Sequence, residues 1–210
     1  PAMAKIQDNT LRLKNIYLKI IRYISSVNFP IYMLIFIFAH DIVLILFGEA
    51  WISAVKIVQI LSIFGGVRST LNPVGSLLLA KGKANWGFYW NLGLFLYLPI
   101  GIYISSHWGL SGVSIALVVM ISSLVVPNWY LLVRSVCRAK FVEYHKQILT
   151  PLVISLISGI VIYYINLVVE PWYLIVLLVG SIGLSCFFIL NYYFNKAFLD
   201  DLLLFMRLKN

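Results

Sequence analysis

Six stretches of this chain are apolar for long enough to cross a lipid bilayer: Tyr23 to Ala39, Ile57 to Ala80, Trp86 to Ser106, Leu110 to Val133, Ile148 to Val168 and Trp172 to Phe194. They hold 17 to 24 residues each, which bracket the roughly 20 that a helix rising about 1.5 Å per residue needs to span the hydrocarbon layer, and are twice the length of a barrel strand. Lipid offers the backbone no hydrogen bonds, so a spanning segment must satisfy its own. The sequence therefore predicts an all-α, polytopic helical membrane protein with six transmembrane helices, here spans A to F. Composition agrees: 62% of the 210 residues are hydrophobic and 11% charged, against about 25% charged in a soluble domain, more apolar surface than one core of this length can hide.

The net charge of +9 would point to nucleic acid in a soluble protein. Here the distribution of the charge speaks for topology and against a nucleic-acid partner. Lys5, Arg12, Lys14, Lys19 and Arg22 precede span A; Lys81 and Lys83 lie between B and C; Arg134, Arg138, Lys140 and Lys146 lie between D and E; Lys196, Arg207 and Lys209 follow F. These are 14 of the 16 basic residues, all on one side of the alternation, and short basic loops stay cytoplasmic. Both ends of the chain are accordingly expected in the cytoplasm. Residues 1–22 read as a cytoplasmic amphipathic interfacial segment, because Leu13, Ile16, Tyr17, Ile20, Ile21 and Ile24 recur at helical spacing opposite Arg12, Asn15, Lys19 and Arg22. Asp8, Asn9 or Thr10 can cap its start; the alternative is a span A extended into the cytosol. Residues 134–147 read as a basic cytoplasmic loop, 148–194 as a C-terminal helix pair and 195–210 as a cytoplasmic tail.

The spans differ in their punctuation. A to D each carry an internal proline, Pro30, Pro73, Pro99 and Pro127, which removes a backbone hydrogen bond and predicts a kink. In E and F the prolines, Pro151 and Pro171, fall near the expected helix starts, where they cost little. Span B is the most informative, with Arg68 and Asn72 four residues apart and so on one helix face. An arginine near the middle of a span costs about 2.5 to 3.5 kcal/mol on insertion scales, so it should face a cavity or a partner. No carboxylate lies inside any span to pair with it. Arg68 and Asn72 are thus candidate substrate-binding residues for an anionic ligand, the alternative being a structural arginine bonded to backbone carbonyls or to acidic residues in polypeptide outside this sequence. At the cytoplasmic end of B, the turn residues Lys81 and Lys83 with Trp90 and Asn91 can attract a phosphate or sugar, or serve as topology markers and an interfacial aromatic belt.

Other chemistry lacks its residues. His40 and His107 fall outside and His145 inside, so the histidines cannot share a metal ion; Cys137 and Cys186 are not a CxxC pair; no Walker A or GxSxG sequence is present. Neither an enzyme nor a cofactor is expected.

The segments Pro1-Ala2-Met3-Ala4-Lys5-Ile6-Gln7-Asp8, Phe29-Pro30, Leu46-Phe47-Gly48-Glu49-Ala50-Trp51 and Ile57-Val58-Gln59-Ile60-Leu61, and then Arg68-Ser69-Thr70-Leu71-Asn72-Pro73-Val74-Gly75-Ser76-Leu77-Leu78-Leu79-Ala80-Lys81-Gly82-Lys83 and Trp90-Asn91, stand in a familiar order. This order resembles the C-terminal part of Wzx-type polysaccharide flippases, in the colanic-acid-exporter branch of the polysaccharide transporter family within the MOP exporter superfamily. The resemblance is dense to about Arg134 and weak beyond it. It implies a bacterial inner-membrane transporter with two helical lobes around a cavity, flipping a polyprenyl-diphosphate-linked oligosaccharide from inner to outer leaflet for lipopolysaccharide or exopolysaccharide biosynthesis. Residues 23–133 would then be the four-helix remainder of the second lobe, and the N-terminal half of the transporter would be missing ahead of Pro1. The implied partners are the lipid-linked oligosaccharide, the bilayer, that missing half and polysaccharide polymerase machinery. Arg68 and Asn72 would face the cavity. The alternatives are a cation-coupled drug exporter of the same superfamily, which usually needs a membrane-embedded carboxylate, and a non-transporting scaffold subunit.

Overall fold

The computed structural model describes residues 9–168 together with Ile189 and Tyr193. Among the described residues every regular element is helical: α1 (Thr10–Ile37), α2 (Ala39–Phe47), a 3₁₀ turn (Glu49–Ala54), α3 (Val55–Leu71), α4 (Val74–Ala80), α5 (Ala84–Ser106), α6 (Gly109–Ser123), the short α7 (Val125–Pro127), a π-helical stretch (Asn128–Val133), α8 (Arg134–Cys137) and α9 (Phe141–Val168). Five stretches are long and apolar enough to cross a membrane: Thr10–Ile37, Glu49–Ala80, Ala84–Ser106, Gly109–Cys137 and Phe141–Tyr164. They coincide with spans A to E. The sixth, Trp172 to Phe194, lies outside the described residues apart from Ile189 and Tyr193.

The helices start and stop for local reasons. Asn9 caps α1, its Oδ1 accepting the Arg12 N–H at 2.9 Å. Gly82, at φ 66°, makes the turn from α4 to α5, where a left-handed residue is needed and no Cβ has to be accommodated. Arg138 takes the same conformation, φ 57°, to end α8. Glu143 returns to the start of α9, accepting the Lys140 N–H at 2.9 Å.

The structure redraws three expectations. From Thr10 on, the segment before span A is continuous with it, one helix of 28 residues, as the extended-span alternative had it, and its apolar stripe packs within the bundle. Leu13, Tyr17 and Ile21 are fully buried against Leu77 of α4, Val133 of the π stretch and Tyr144 of α9. Residues 134–147 are helical except for a three-residue turn, Arg138 to Lys140. Pro151 is therefore internal to α9 and buried, since the helix begins seven residues before the expected start, at Phe141. Of the prolines expected to bend spans A to D, Pro30 and Pro99 sit inside unbroken helices, whereas Pro73 and Pro127 stand at interruptions.

The core gathers at one end of the bundle. Leu13 and Tyr17 of α1, Leu77 and Ala80 of α4, Cys137 of α8 and Tyr144 of α9 belong to it, so the start of α1, the end of span B, the end of span D and the start of α9 lie together. The Tyr17 and Tyr144 rings stack in parallel at 6.5 Å, Lys14 Nζ pairs with Glu143 at 3.1 Å, and Arg22 Nε–H donates to Gln147 Oε1 at 2.7 Å. The Trp129 indole N–H donates to the Ala139 carbonyl at 3.1 Å, tying span D to the same end. Elsewhere small residues let helices approach. A Cβ on Gly65 would collide with the Tyr32 ring, and one on Gly159 with Met33, so α3 and α9 both lie close on α1.

Candidate functional site

Span B builds the site. Its residues Ser62, Gly66, Ser69 and Thr70 are buried, and the hydroxyls of Ser62, Ser69 and Thr70 return to carbonyls one turn back on their own helix, at 2.7 to 2.8 Å. The opposite face is uncovered: Arg68, Asn72, Gly75 and Ser76 are all exposed. Arg68, Asn72 and Ser76 recur every four residues across the α3–α4 break. They form a polar stripe in the middle of a segment that is otherwise apolar and of membrane length. Arg68 lies 12 residues before Ala80, or about 18 Å along a helix, well inside the bilayer thickness.

The Arg68 guanidinium lies over the ring of Phe64, one turn earlier on its own helix, 5.6 Å from the centroid. It makes no hydrogen bond or ion pair among the described residues. The backbone-carbonyl alternative is therefore absent from this arrangement. The ring contact orients the head group without neutralising it, since a cation–π contact leaves the charge in place. The Asn72 side-chain amide is likewise uncommitted among the described residues, while the Asn72 backbone carbonyl accepts the Gly75 N–H at 3.3 Å across the break.

The remaining candidates separate. Lys81 and Lys83 sit half-buried in the turn that follows α4, with Lys83 Nζ 4.0 Å above the Trp86 ring. Trp90 is half-buried and packs against the core together with Trp86. Asn91, next in sequence and so about 100° round the helix, is exposed, and its Nδ2 donates to the Gly87 carbonyl at 2.9 Å. The structure thus groups Arg68 and Asn72 on one open stripe, with the two lysines beyond its end. It turns Trp90 inward. Ser76 extends the stripe and Phe64 props up the arginine; the four-residue spacing was the signal for both. Among the described residues no three of His, Cys, Asp and Glu stand together as a metal site would need.

Helix α5, next in the chain, has none of its apolar membrane-length stretch buried, and it exposes Phe88, Tyr89, Phe95, Tyr97 and Tyr103. A bundle of membrane-length apolar helices, all-α among the described residues, defines the class: a polytopic integral membrane protein, here with a polar stripe uncovered on span B.

Comparison with known proteins then gives the family. A family model described as polysaccharide biosynthesis protein matches residues 1–56, which include α1 and α2. Over 158 residues the chain is 33% identical to an uncharacterized membrane protein in the cps region of Klebsiella pneumoniae, an alignment covering 74% of this chain and 32% of that protein. It is 28% identical over 171 residues to the lipopolysaccharide biosynthesis protein WzxC of Escherichia coli (81% and 35%), and 30% identical over 173 residues to the teichuronic acid biosynthesis protein TuaB of Bacillus subtilis (81% and 35%). No solved structure is significantly similar. The chain belongs to the Wzx-type polysaccharide flippase family, and it spans about a third of the length of the curated relatives it matches.

Proposed function

We propose that this chain forms part of a transporter that flips a polyprenyl-diphosphate-linked oligosaccharide from the inner to the outer leaflet of a bacterial inner membrane, for polysaccharide biosynthesis and export. One observation carries the reading: Arg68, Asn72 and Ser76 form an uncovered polar stripe within a membrane-length apolar segment. Such a stripe is costly against lipid and inexpensive against water. It lines an aqueous path completed by polypeptide outside these 210 residues, in keeping with relatives matched over a third of their length. The uncompensated guanidinium favours an anion at mid-membrane, and the diphosphate or an acidic sugar supplies one. Lys81 and Lys83 lie on the basic, cytoplasmic side and attract the same anion before it enters, with Asn91 and the Trp90 region beside them. Both ends of the chain are cytoplasmic by the distribution of lysine and arginine. Polysaccharide polymerase machinery is the partner that receives the product.

The test is Arg68→Ala in the protein as it stands in its producing cell. Surface polysaccharide is expected to fall at least tenfold with membrane abundance unchanged, and Arg68→Lys to restore part of it. Equal loss of protein and polysaccharide would make Arg68 a structural residue and remove the reading.

A further inference from the structure

The turn between α8 and α9 carries two arginines that nothing among the described residues neutralises. Arg134 and Arg138 stand one helical turn apart and are exposed, and neither side chain makes an ion pair or a hydrogen bond among the described residues. The one carboxylate among the described residues at this end of the bundle is Glu143, and it is taken: Lys14 Nζ pairs with it at 3.1 Å and the Lys140 N–H donates to it at 2.9 Å. The Arg134 guanidinium lies over two rings, 5.7 Å from the centroid of Trp129 and 5.3 Å from that of Tyr130. Such contacts aim the head group and leave its charge in place.

The turn itself is pinned. The Arg138 N–H donates to the Arg134 carbonyl at 3.0 Å, the Trp129 indole N–H to the Ala139 carbonyl at 3.1 Å, and Ala139 is buried. Arg138 ends α8 at φ 57°, a left-handed conformation that glycine takes without steric cost, and it is the one non-glycine residue at positive φ among the described residues. The backbone thus accepts strain at the position of a cation, and both arginines have their Cα atoms fixed before any ligand arrives.

The surroundings select the ligand. Arg134 stands three residues before Cys137, where the membrane-length segment Gly109–Cys137 ends, or about 4.5 Å along a helix, so its head group falls at the boundary between hydrocarbon and headgroups. The rings of Tyr130, Trp129 and Phe141 lie in contact, with centroids 6.1 and 5.0 Å apart, and Tyr130, Leu131, Phe141 and Val142 are exposed. A dissolved phosphate or an acidic peptide would answer the charges and leave this apolar surface uncovered. A phospholipid answers both, because its phosphate stands directly above its own acyl chains. A guanidinium fork fits two phosphodiester oxygens at once. An acidic headgroup is favoured over a zwitterionic one, whose own cation the two arginines repel.

We propose that Arg134 and Arg138, with the rings of Trp129, Tyr130 and Phe141, form a binding site for one anionic phospholipid of the leaflet at this end of the bundle, held by its phosphodiester. The site lies on a different span from the Arg68 stripe and does not depend on what the protein transports.

The experiment uses the whole membrane protein in mild detergent, titrated with dioleoyl phosphatidylglycerol and separately with dioleoyl phosphatidylcholine, with bound lipid read by native mass spectrometry. Phosphatidylglycerol is expected to bind at least tenfold more tightly. Arg134→Gln with Arg138→Gln is expected to abolish this preference, whereas Arg12→Gln with Lys146→Gln, which removes the same charge from exposed positions at the same end, keeps it. If the first pair of changes does not accumulate, Arg138→Gln alone is expected to weaken the preference at least threefold, and an unchanged preference overturns the site. Equal loss in the two pairs would reduce the effect to net charge and overturn it too, as would the absence of a preference in the native protein. Displacement of the bound phosphatidylglycerol by glycerol 3-phosphate at equal concentration would assign the arginines to a free phosphate, and displacement by a short prenyl diphosphate would assign them to the transported substrate. Either result overturns a membrane-lipid site.

Discussion

Two regions of this molecule handle polar groups in opposite ways. At the packed end, Lys14 is paired with Glu143, Arg22 with Gln147 and the Trp129 indole with the Ala139 carbonyl, and large side chains such as Tyr17, Tyr144 and Leu77 are fully buried around them. On the open stripe, Arg68 and Asn72 sit deeper in a membrane-length segment and have no such partners among the described residues. Charges paired inside the chain serve its stability. On the reading proposed above, the charge left unpaired where lipid would penalise it serves the transported anion, and the comparison sets the residues that hold the bundle apart from those proposed to work in it.

Substitutions at the packed end should break the fold and not the stripe. Tyr144→Ala empties a fully buried aromatic site and should destabilise by about 3 to 5 kcal/mol, seen as a lower melting temperature in detergent and as loss of protein from the membrane. Gly65→Val places methyls against the Tyr32 ring, and overpacking of this kind costs about 1 to 3 kcal/mol. It should lower the melting temperature by less than Tyr144→Ala, and export only in proportion to abundance. The Lys14–Glu143 pair is part-exposed and should contribute under about 1 kcal/mol, measured as the coupling term of a Lys14→Ala and Glu143→Ala double-mutant cycle. Asn72→Ala sharpens the contrast from the other side. Its effect on stability should stay within about 0.5 kcal/mol, as for an exposed side chain, while surface polysaccharide falls several-fold. A stability loss at Asn72 comparable to that at Tyr144 would erase the distinction.

Much of this was legible in the chain itself. Runs of 20 apolar residues admit few solutions in lipid, so the helical type of the elements follows from hydropathy; of the six spans expected, A to E have counterparts among the described residues. Arg68 and Asn72 were legible for the same reason, because a polar residue is conspicuous in an apolar run, and their spacing alone put them on one face. The start of α1 was harder to read. Its stripe of Leu13, Tyr17 and Ile21 announces that it must be covered, but a sequence pattern does not say whether lipid headgroups or another helix will cover it. Pro151 misled because a helix start was inferred from where hydrophobicity begins, whereas α9 starts earlier, in a polar turn capped by Glu143. Trp90 and Asn91 are neighbours in sequence, yet one packs inward and the other is exposed, a choice made by the core.

The sequence by itself determined that this is an all-α membrane protein, roughly where spans A to E run and which of them carries a charge in its middle, because transfer between water and lipid acts on each segment separately. Only the tertiary structure decided which prolines interrupt a helix, and which polar groups are paired across 129 residues of chain as Lys14 and Glu143 are. Those outcomes depend on what each helix packs against, and packing joins residues that no local pattern relates.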